Sequence, residues 1–235
     1  MDIGGIRAEL KELSLGNEKY AKFNKRIVNT RQKVIGVRTP DVRKLAKNLA
    51  RDMTADDILG LLDSLDKTAY EEVLLSGLII DYVKIPDAER IDLIRRYLKL
   101  VDCWGQIDTV AMTMKKFDQE LWWKFVLECL ESKDEFVVRY GIVFAMCNFL
   151  ADEKLEQVFG ALATVKHDGY YVKMGMAWLY ATAAVKYYDQ TLAEVNSSGL
   201  DPWTRKKALT KMLESYRFTD EQKTEIRKQR ADENF

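Results

Sequence analysis

The amino-acid sequence predicts an all-α fold built from consecutive helical hairpins. The 235 residues include only 3 prolines and 12 glycines, too few turn-forming residues for a β-sandwich or a β-barrel. Segments with helical spacing of apolar residues also begin in pairs every 32–36 residues, near positions 54, 86, 118, 152 and 188. These lengths predict a single domain over residues 1–235, a right-handed curved α-solenoid of about five to six helix pairs.

Apolar periodicity and cap residues place the individual helices. In chain order they are 3–14, 17–26, one from 39, 55–64, 67–83, 87–100, 104–116, 119–131, 134–150, 153–164, 168–186, 188–196, 201–216 and one from 219. The stretch 27–33 between the second and third helices is basic and irregular. The segments 67–83, 134–150 and 168–186 are the more apolar members of their pairs, so we expect them to form the inner, concave layer.

Two helix starts have clear cap sequences. Thr39 is the predicted N-cap of the third helix, with Pro40 at its first position, and Arg43 is expected on the outer face. Thr54 precedes the fourth helix, and Asp57 three residues later completes a capping box.

The charge distribution is uneven although Lys and Arg balance Asp and Glu at 37 each. Residues 1–50 have a net charge of +7 and residues 201–235 of +2, which leaves −9 for residues 51–200. Basic ends around an acidic middle suit local binding of a polyanion, although chance clustering on a solvated surface would give the same count.

Cysteine, histidine and hydropathy exclude several classes of protein. The cysteines Cys103, Cys129 and Cys147 lack metal or redox spacing and are expected to be buried thiols in a reducing compartment. A lone histidine, His167, excludes histidine-based metal sites and Ser–His–Asp triads. No apolar run reaches the roughly 18 residues of a membrane span, and the start lacks a signal-peptide core. We therefore expect a cytoplasmic protein.

Four residues are unusual for the predicted helices that carry them. Trp104 and Asp108 are four residues apart and share a helix face. Arg139 interrupts an otherwise apolar helix, and Trp178 is surrounded in sequence by Gly175 and alanines. A functional site is one interpretation. In the alternative, Trp104 and Trp178 are core residues, Asp108 is a solvated helix residue, and Arg139 forms an internal salt bridge with Asp108 or Asp102.

Four short motifs carry a resemblance to a known family. They are Gly36–Arg43 (GVRTPDVR), Trp104–Asp108 (WGQID), Phe136–Val143 (FVVRYGIV) and Lys173–Trp178 (KMGMAW). In this order and spacing, from about residue 5 to about residue 215, the chain resembles the AlkD-type DNA alkylation repair family of HEAT-like repeat DNA glycosylases.

The resemblance implies both an activity and a site. The fold would be an α-solenoid of HEAT-like hairpins with a concave DNA-binding groove. The activity would be hydrolysis of the N-glycosidic bond of alkylated purines, such as 3-methyladenine and 7-methylguanine, in duplex DNA without base flipping. Asp108 would be the catalytic carboxylate, Trp104 and Trp178 the groove tryptophans, and Arg139 the groove arginine. No metal or other cofactor is implied, and the chain would act as a monomer.

Two basic clusters are candidates for further contacts with DNA phosphates. They are Lys25, Arg38 and Arg43 near one end, and Arg205, Lys206 and Lys207 near the other. Two other functional classes stay open on the sequence alone. One is a non-catalytic HEAT-like module that binds DNA structures. The other is a protein-binding scaffold, which would leave the Trp–Asp–Arg–Trp set unexplained.

Overall fold

The computed structural model describes residues 3–65, 69–114, 116–197 and 199–231. Across this part of the chain the regular secondary structure is helical, apart from one isolated parallel bridge between Lys33 and Ala69. The predicted all-α helical-repeat class is confirmed. The helices form two compact units, Met1–Phe125 and Val126–Phe235. That the chain is one domain stays a prediction.

The first unit contains the helices that carry the Trp104 segment and the N-terminal basic residues. They are α1 Ile3–Leu13, α2 Glu18–Val28, α3 Thr39–Leu49, α4 Ala55–Ser64, α5 Tyr70–Tyr82, α6 Asp87–Leu98 and α7 Trp104–Ala111. Helix α8, Gln119–Leu130, passes from the first unit into the second.

The second unit contains the helices that carry Arg139, Trp178 and the C-terminal basic residues. They are α9 Glu135–Asn148, α10 Leu155–Ala163, α11 Tyr170–Ala183, α12 Tyr188–Val195, α13 Pro202–Glu214 and α14 Asp220–Ala231. A short 3-10 turn, Asp152–Lys154, precedes α10.

Helix caps confirm one prediction and correct another. Thr54 and Asp57 form the predicted capping box, in which each side chain bonds the backbone N–H of the other residue. The Thr39 N-cap prediction was wrong by one residue, since the helix begins at Thr39 itself. Arg38 has the extended cap conformation, and its carbonyl accepts from the N–H groups of Asp41 and Val42 at 2.9 and 3.1 Å.

Two predicted helices extend into residues that the structure does not describe. Positions 67 and 68 of the predicted segment 67–83 lie outside the described residues, as does position 115 of 104–116. The second of these predictions was also too long, because α7 ends at Ala111. The Thr109 and Thr113 hydroxyls donate to the carbonyls of Gly105 and Thr109 at 2.7 and 2.6 Å, as threonines do within and beside a helix.

Helix α5 is the centre of the first unit. Every residue from Tyr70 to Ile80 is buried, which agrees with its nearly uniform apolar sequence. Helices α3, α4, α6 and α7 pack around it. Gly77 allows a close approach, because an added Cβ would lie 2.6 Å from the Tyr97 ring and 2.7 Å from Val110. Helix α7 is therefore supported by a buried helix along its inner face.

Helices α9 and α11 form the centre of the second unit, as α5 does in the first. The residues Val138–Met146 of α9 are buried, and α11 packs against both α9 and α13. Gly141 brings α9 close to α8, since an added Cβ would lie 2.9 Å from the Cβ of Cys129. Helices α5, α9 and α11 are thus largely buried within their own units, as their apolar sequences indicate, and their place in a concave layer stays a prediction.

Cysteine burial was predicted correctly at two of three positions. Cys103 and Cys129 are buried, but Cys147 is exposed because it lies on the outer side of the last turn of α9. Across the described residues, none of the helices combines the length and apolar character that crossing a membrane requires.

Candidate active site and nucleic-acid interface

The start of helix α7 is held by residues from a distant part of the chain. Asp102, two residues before the helix, accepts a hydrogen bond from the Thr30 hydroxyl and others from the backbone N–H groups of Arg31 and Gln32, at 2.9 and 3.3 Å. A carboxylate that accepts several such bonds is confined to a narrow range of positions. The segment that follows α2 is therefore bound directly to the loop before α7.

Gln106 connects the same elements inside the core. Its side chain is fully buried and donates to Gln32 Oε1 at 2.7 Å and to the Tyr70 carbonyl at 3.1 Å. Its own Oε1 accepts from the backbone N–H of Asp102 at 3.2 Å. A buried amide is tolerated only when its polar groups are paired in this way. We call the set Thr30, Gln32, Asp102 and Gln106 the α7 anchor.

The Trp104 indole is oriented by helix α2. Its Nε1 donates to the Ile27 carbonyl at 3.3 Å, and the side chain is half-buried. Gly105, the next residue, lies so close to α2 that an added Cβ would be 2.8 Å from Val28 Cγ1. The pairing of α2 with α7 thus fixes the ring while part of it stays open to solvent.

Asp108 lies one turn beyond Trp104 and is only 7% exposed. The alternative of a solvated helix residue is therefore wrong for this carboxylate. Its negative charge acts on the neighbouring Tyr70, whose pKa is raised mainly by burial and in smaller part by Cys103, Glu71, Tyr20 and Asp108. A carboxylate in such surroundings interacts strongly with a positive charge, because little water screens it.

A buried glutamate holds the chain between α2 and α3. Glu71 accepts from the backbone N–H groups of Ile35 and Gly36 at 3.0 and 2.8 Å. Burial raises the pKa of Glu71, and these hydrogen bonds oppose the rise. Gly36 has a φ of +101° and lies against α2, so a side chain there would be strained and crowded. The glycine that begins the GVRTPDVR motif is therefore needed for the backbone conformation and packing of the first unit.

Arg43 was expected on an outer face, and that expectation was wrong. Its guanidinium donates to Tyr82 Oη at 3.2 Å, to Thr113 Oγ1 at 2.6 Å and to the Thr109 carbonyl at 3.1 Å. A cation near the last carbonyls of a helix stabilises that helix end. Arg43 therefore supports the C-terminal end of α7, and contact with DNA stays a prediction for it.

The other N-terminal basic candidates are closer to solvent. Lys25 is half-buried and donates to the Gln32 carbonyl at 2.5 Å, whereas Arg38 is exposed and lies over the Tyr20 ring at 5.0 Å from its centroid. Neither arrangement tests their predicted contact with phosphate.

Arg139 and Trp178 lie on adjacent helices of the second unit. Arg139 is 4% exposed, and its Nη1 donates to the Tyr171 carbonyl at 2.7 Å. Gly175 of α11 leaves room for this guanidinium, since an added Cβ would lie 3.5 Å from Arg139 Nη1. Trp178 is one turn further along α11 and half-buried. Gly175, one turn before Trp178, thus accommodates the Arg139 side chain of the neighbouring helix.

The basic residues of α13 have different surroundings. Arg205 donates from Nη2 to Asn196 Oδ1 at 2.9 Å, Lys206 is exposed, and Lys207 is half-buried. Asp201 caps the helix by accepting from the N–H of Thr204, with Pro202 at the first position as predicted.

The α7 anchor was not predicted from the sequence. Its members are about 70 residues apart in the chain, at 30 and 32 on one side and 102 and 106 on the other. The available signal was Gln106, a polar residue on the face of α7 that also carries the buried Val110. Its partners could not be chosen without the fold.

Together these features define a helical-repeat protein with a buried carboxylate and an oriented indole in one unit and a buried arginine in the other. The chain matches the model of the DNA alkylation repair enzyme family over residues 6–212, and it belongs to that family. Membership implies that DNA is the ligand. No curated protein matches the chain closely enough to add to this assignment.

Proposed function

We propose that this chain is a DNA glycosylase that hydrolyses the N-glycosidic bond of alkylated purines, such as 3-methyladenine and 7-methylguanine, in duplex DNA. It would act as a cytoplasmic monomer and leave the base unflipped. The observation that carries the proposal is Asp108, a carboxylate 7% exposed on a helix whose start is anchored by buried hydrogen bonds. Family membership supplies DNA alkylation repair as the context.

The chemistry needs a fixed negative charge beside the sugar. Alkylation at N3 or N7 makes the base cationic, so the C1′–N bond can break with both electrons leaving on the base. The sugar then becomes an oxocarbenium cation, to which water adds with loss of a proton. Asp108 stabilises that cation and orients the water, and the Trp104 ring packs against the sugar edge. The products are the free base and an abasic site.

The second unit provides contacts that act before and during the reaction. Arg139 holds a backbone phosphate beside the lesion through charge-assisted hydrogen bonds, while Trp178 packs against the damaged nucleotide. The alkylated base is already an activated leaving group, so the proposed reaction uses no metal or other cofactor.

Release of free base from methylated duplex DNA tests this proposal. Native protein should liberate alkylpurines that chromatography separates from the DNA, and Asp108→Asn should slow the release by about 100-fold or more. The matched control is Asp56→Asn, an exposed aspartate in the first turn of α4, which should release base at the native rate. Tight binding of the methylated duplex by the native protein without release would support the non-catalytic module instead.

A further inference from the structure

Two lysines of α13 are on one face of the helix and partly out of water. Lys207 and Lys211 are four residues apart, which places them one above the other, and both are half-buried. Within the described part of the chain, neither lysine makes a salt bridge or a side-chain hydrogen bond. Their ammonium groups are thus available to an anion that comes from outside the chain.

The charge around Lys211 is predominantly positive. Partial burial lowers the pKa of Lys211, and the charges of Lys207 and Arg139 lower it further, while Glu214 opposes them. Arg139 belongs to α9 and the lysines to α13, and α11 packs against both helices. Repulsion among like charges in a partly dehydrated place is relieved when an anion binds there.

The neighbouring basic residues do not share these surroundings. Arg205 is bonded to Asn196 of α12, and Lys206 is exposed. Two residues along a helix correspond to roughly 200° of rotation, so Arg205 and Lys207 are on nearly opposite faces. The charge of Arg139 acts on Lys211, which lies on the face that Lys207 shares.

We propose that Lys207, Lys211 and Arg139 form one binding site for a backbone phosphate of DNA, with Lys211 as its half-buried member. This inference rests on the proposed function only in taking DNA as the ligand, because it concerns binding and not excision. Each ammonium replaces a counterion on the phosphate backbone, so the site adds affinity that depends on salt but not on base sequence.

The test is the salt dependence of binding to an unmodified duplex, followed by fluorescence anisotropy with the full chain. Lys207→Gln and Lys211→Gln should each weaken binding and lower the log–log salt slope by about 0.9. Lys228→Gln, an exposed lysine of α14 in the same unit, makes the same charge change and should leave the slope unchanged. Unchanged slopes in both test variants would overturn the site.

The pH dependence of DNA affinity is a second test, because a purely structural role of Lys211 would not change it. Because its pKa lies below the ordinary 10.5, native affinity should fall as pH rises through that lowered value. Lys211→Arg keeps its charge throughout this range, so its affinity should stay constant with pH. If Lys211→Arg loses affinity in parallel with the native protein, Lys211 is not the titrating contact and the proposal fails.

Thermal melting separates a binding defect from a folding defect. Removal of one of three neighbouring positive charges should leave the melting temperature of Lys211→Gln equal to the native value or higher. Excision that persists with unchanged salt slopes would leave the glycosylase proposal standing and overturn this one. Lower salt slopes in the lysine variants, with no excision by the native protein, would support the phosphate site and overturn the glycosylase proposal.

Discussion

The two units differ in how they hold their polar residues. Around α7, the α7 anchor pairs its side chains with one another and with backbone groups, such as the Tyr70 carbonyl. Along α9 and α13, by contrast, Arg139, Lys207 and Lys211 bring positive charges close to one another. The first arrangement anchors the start of the helix that carries Asp108, and the second brings together cations that a phosphate could bind.

This difference suggests separate contributions to the proposed reaction. In the proposed reaction the Asp108 carboxylate stabilises charge that develops only in the transition state, so its loss should affect the rate. A cationic face binds phosphates that are charged throughout, so its loss should affect the ground-state complex as well.

The largest effect is expected for Asp108→Asn. The substitution keeps the size of the side chain and removes its negative charge, so it should slow excision by about 100-fold or more, about 2–4 kcal/mol in the barrier. Excision from a methylated duplex at saturating protein measures this loss.

Stability decides whether Asp108 is catalytic or structural. If Asp108 were one half of a buried ion pair, Asp108→Asn would strand a charge and lower the melting temperature sharply. We expect a nearly native melting temperature together with lost excision. A large drop in melting temperature with native excision per folded molecule would instead assign the residue a structural role.

The next effect concerns the α7 anchor. Gln106→Leu keeps a similar volume but leaves the Tyr70 carbonyl, Gln32 and the Asp102 N–H without their partner. We expect it to lower the free energy of unfolding by about 2–4 kcal/mol, since each buried group left unpaired costs about 1–3 kcal/mol. Urea denaturation measures this, with Gln157→Leu, an exposed glutamine of α10, as the control. Equal stability of the two variants would show that the anchor does not hold α7.

Arg139→Ala should weaken DNA binding and slow excision together. Loss of one phosphate contact lowers the log–log salt slope by about 0.9 for damaged and undamaged duplexes alike. Arg139→Lys keeps the charge but loses the planar fork, so it should recover the slope and only part of the affinity. A native salt slope in Arg139→Ala would show that Arg139 does not contact a DNA phosphate.

The smallest effect is expected for Trp104→Phe. The variant keeps an aromatic ring and loses the Nε1 hydrogen bond to Ile27, a bond of 3.3 Å. Such a bond contributes about 0.5–1.5 kcal/mol, so thermal melting should show a modest loss of stability, with excision reduced by a smaller factor than in Asp108→Asn. Excision lost as completely as in Asp108→Asn would mean that the indole N–H takes part in the chemistry itself.

Local sequence patterns predicted the fold well. The capping box at Thr54 and Asp57 and the Pro202 start of α13 depend on neighbours within one helical turn, so the sequence contains all that they need. The buried character of α5, α9 and α11 likewise follows from runs of apolar residues.

The site could be predicted only in part, because pairing between distant segments depends on tertiary structure. Sequence motifs singled out Asp108 and Arg139 as candidates, but the hydrogen bond from the Gln32 N–H to Asp102 joins residues 70 positions apart. Arg43 was misplaced because α3 alone does not show that its guanidinium reaches α7. The sequence did not single out Lys211, because helical spacing shows which residues share a face of α13 but not which charges lie near that face.

The proposed division of roles, with Asp108 acting on the rate and Arg139 also on binding, can be tested in one measurement. That measurement is the single-turnover excision rate as a function of protein concentration. Such a curve gives a maximal rate and a half-saturating concentration separately. Asp108→Asn should lower the maximal rate by about 100-fold and leave the half-saturating concentration within about twofold of native. Arg139→Ala should raise the half-saturating concentration as well. A change of only the half-saturating concentration in Asp108→Asn, or excision at the native maximal rate, would contradict a catalytic role for Asp108.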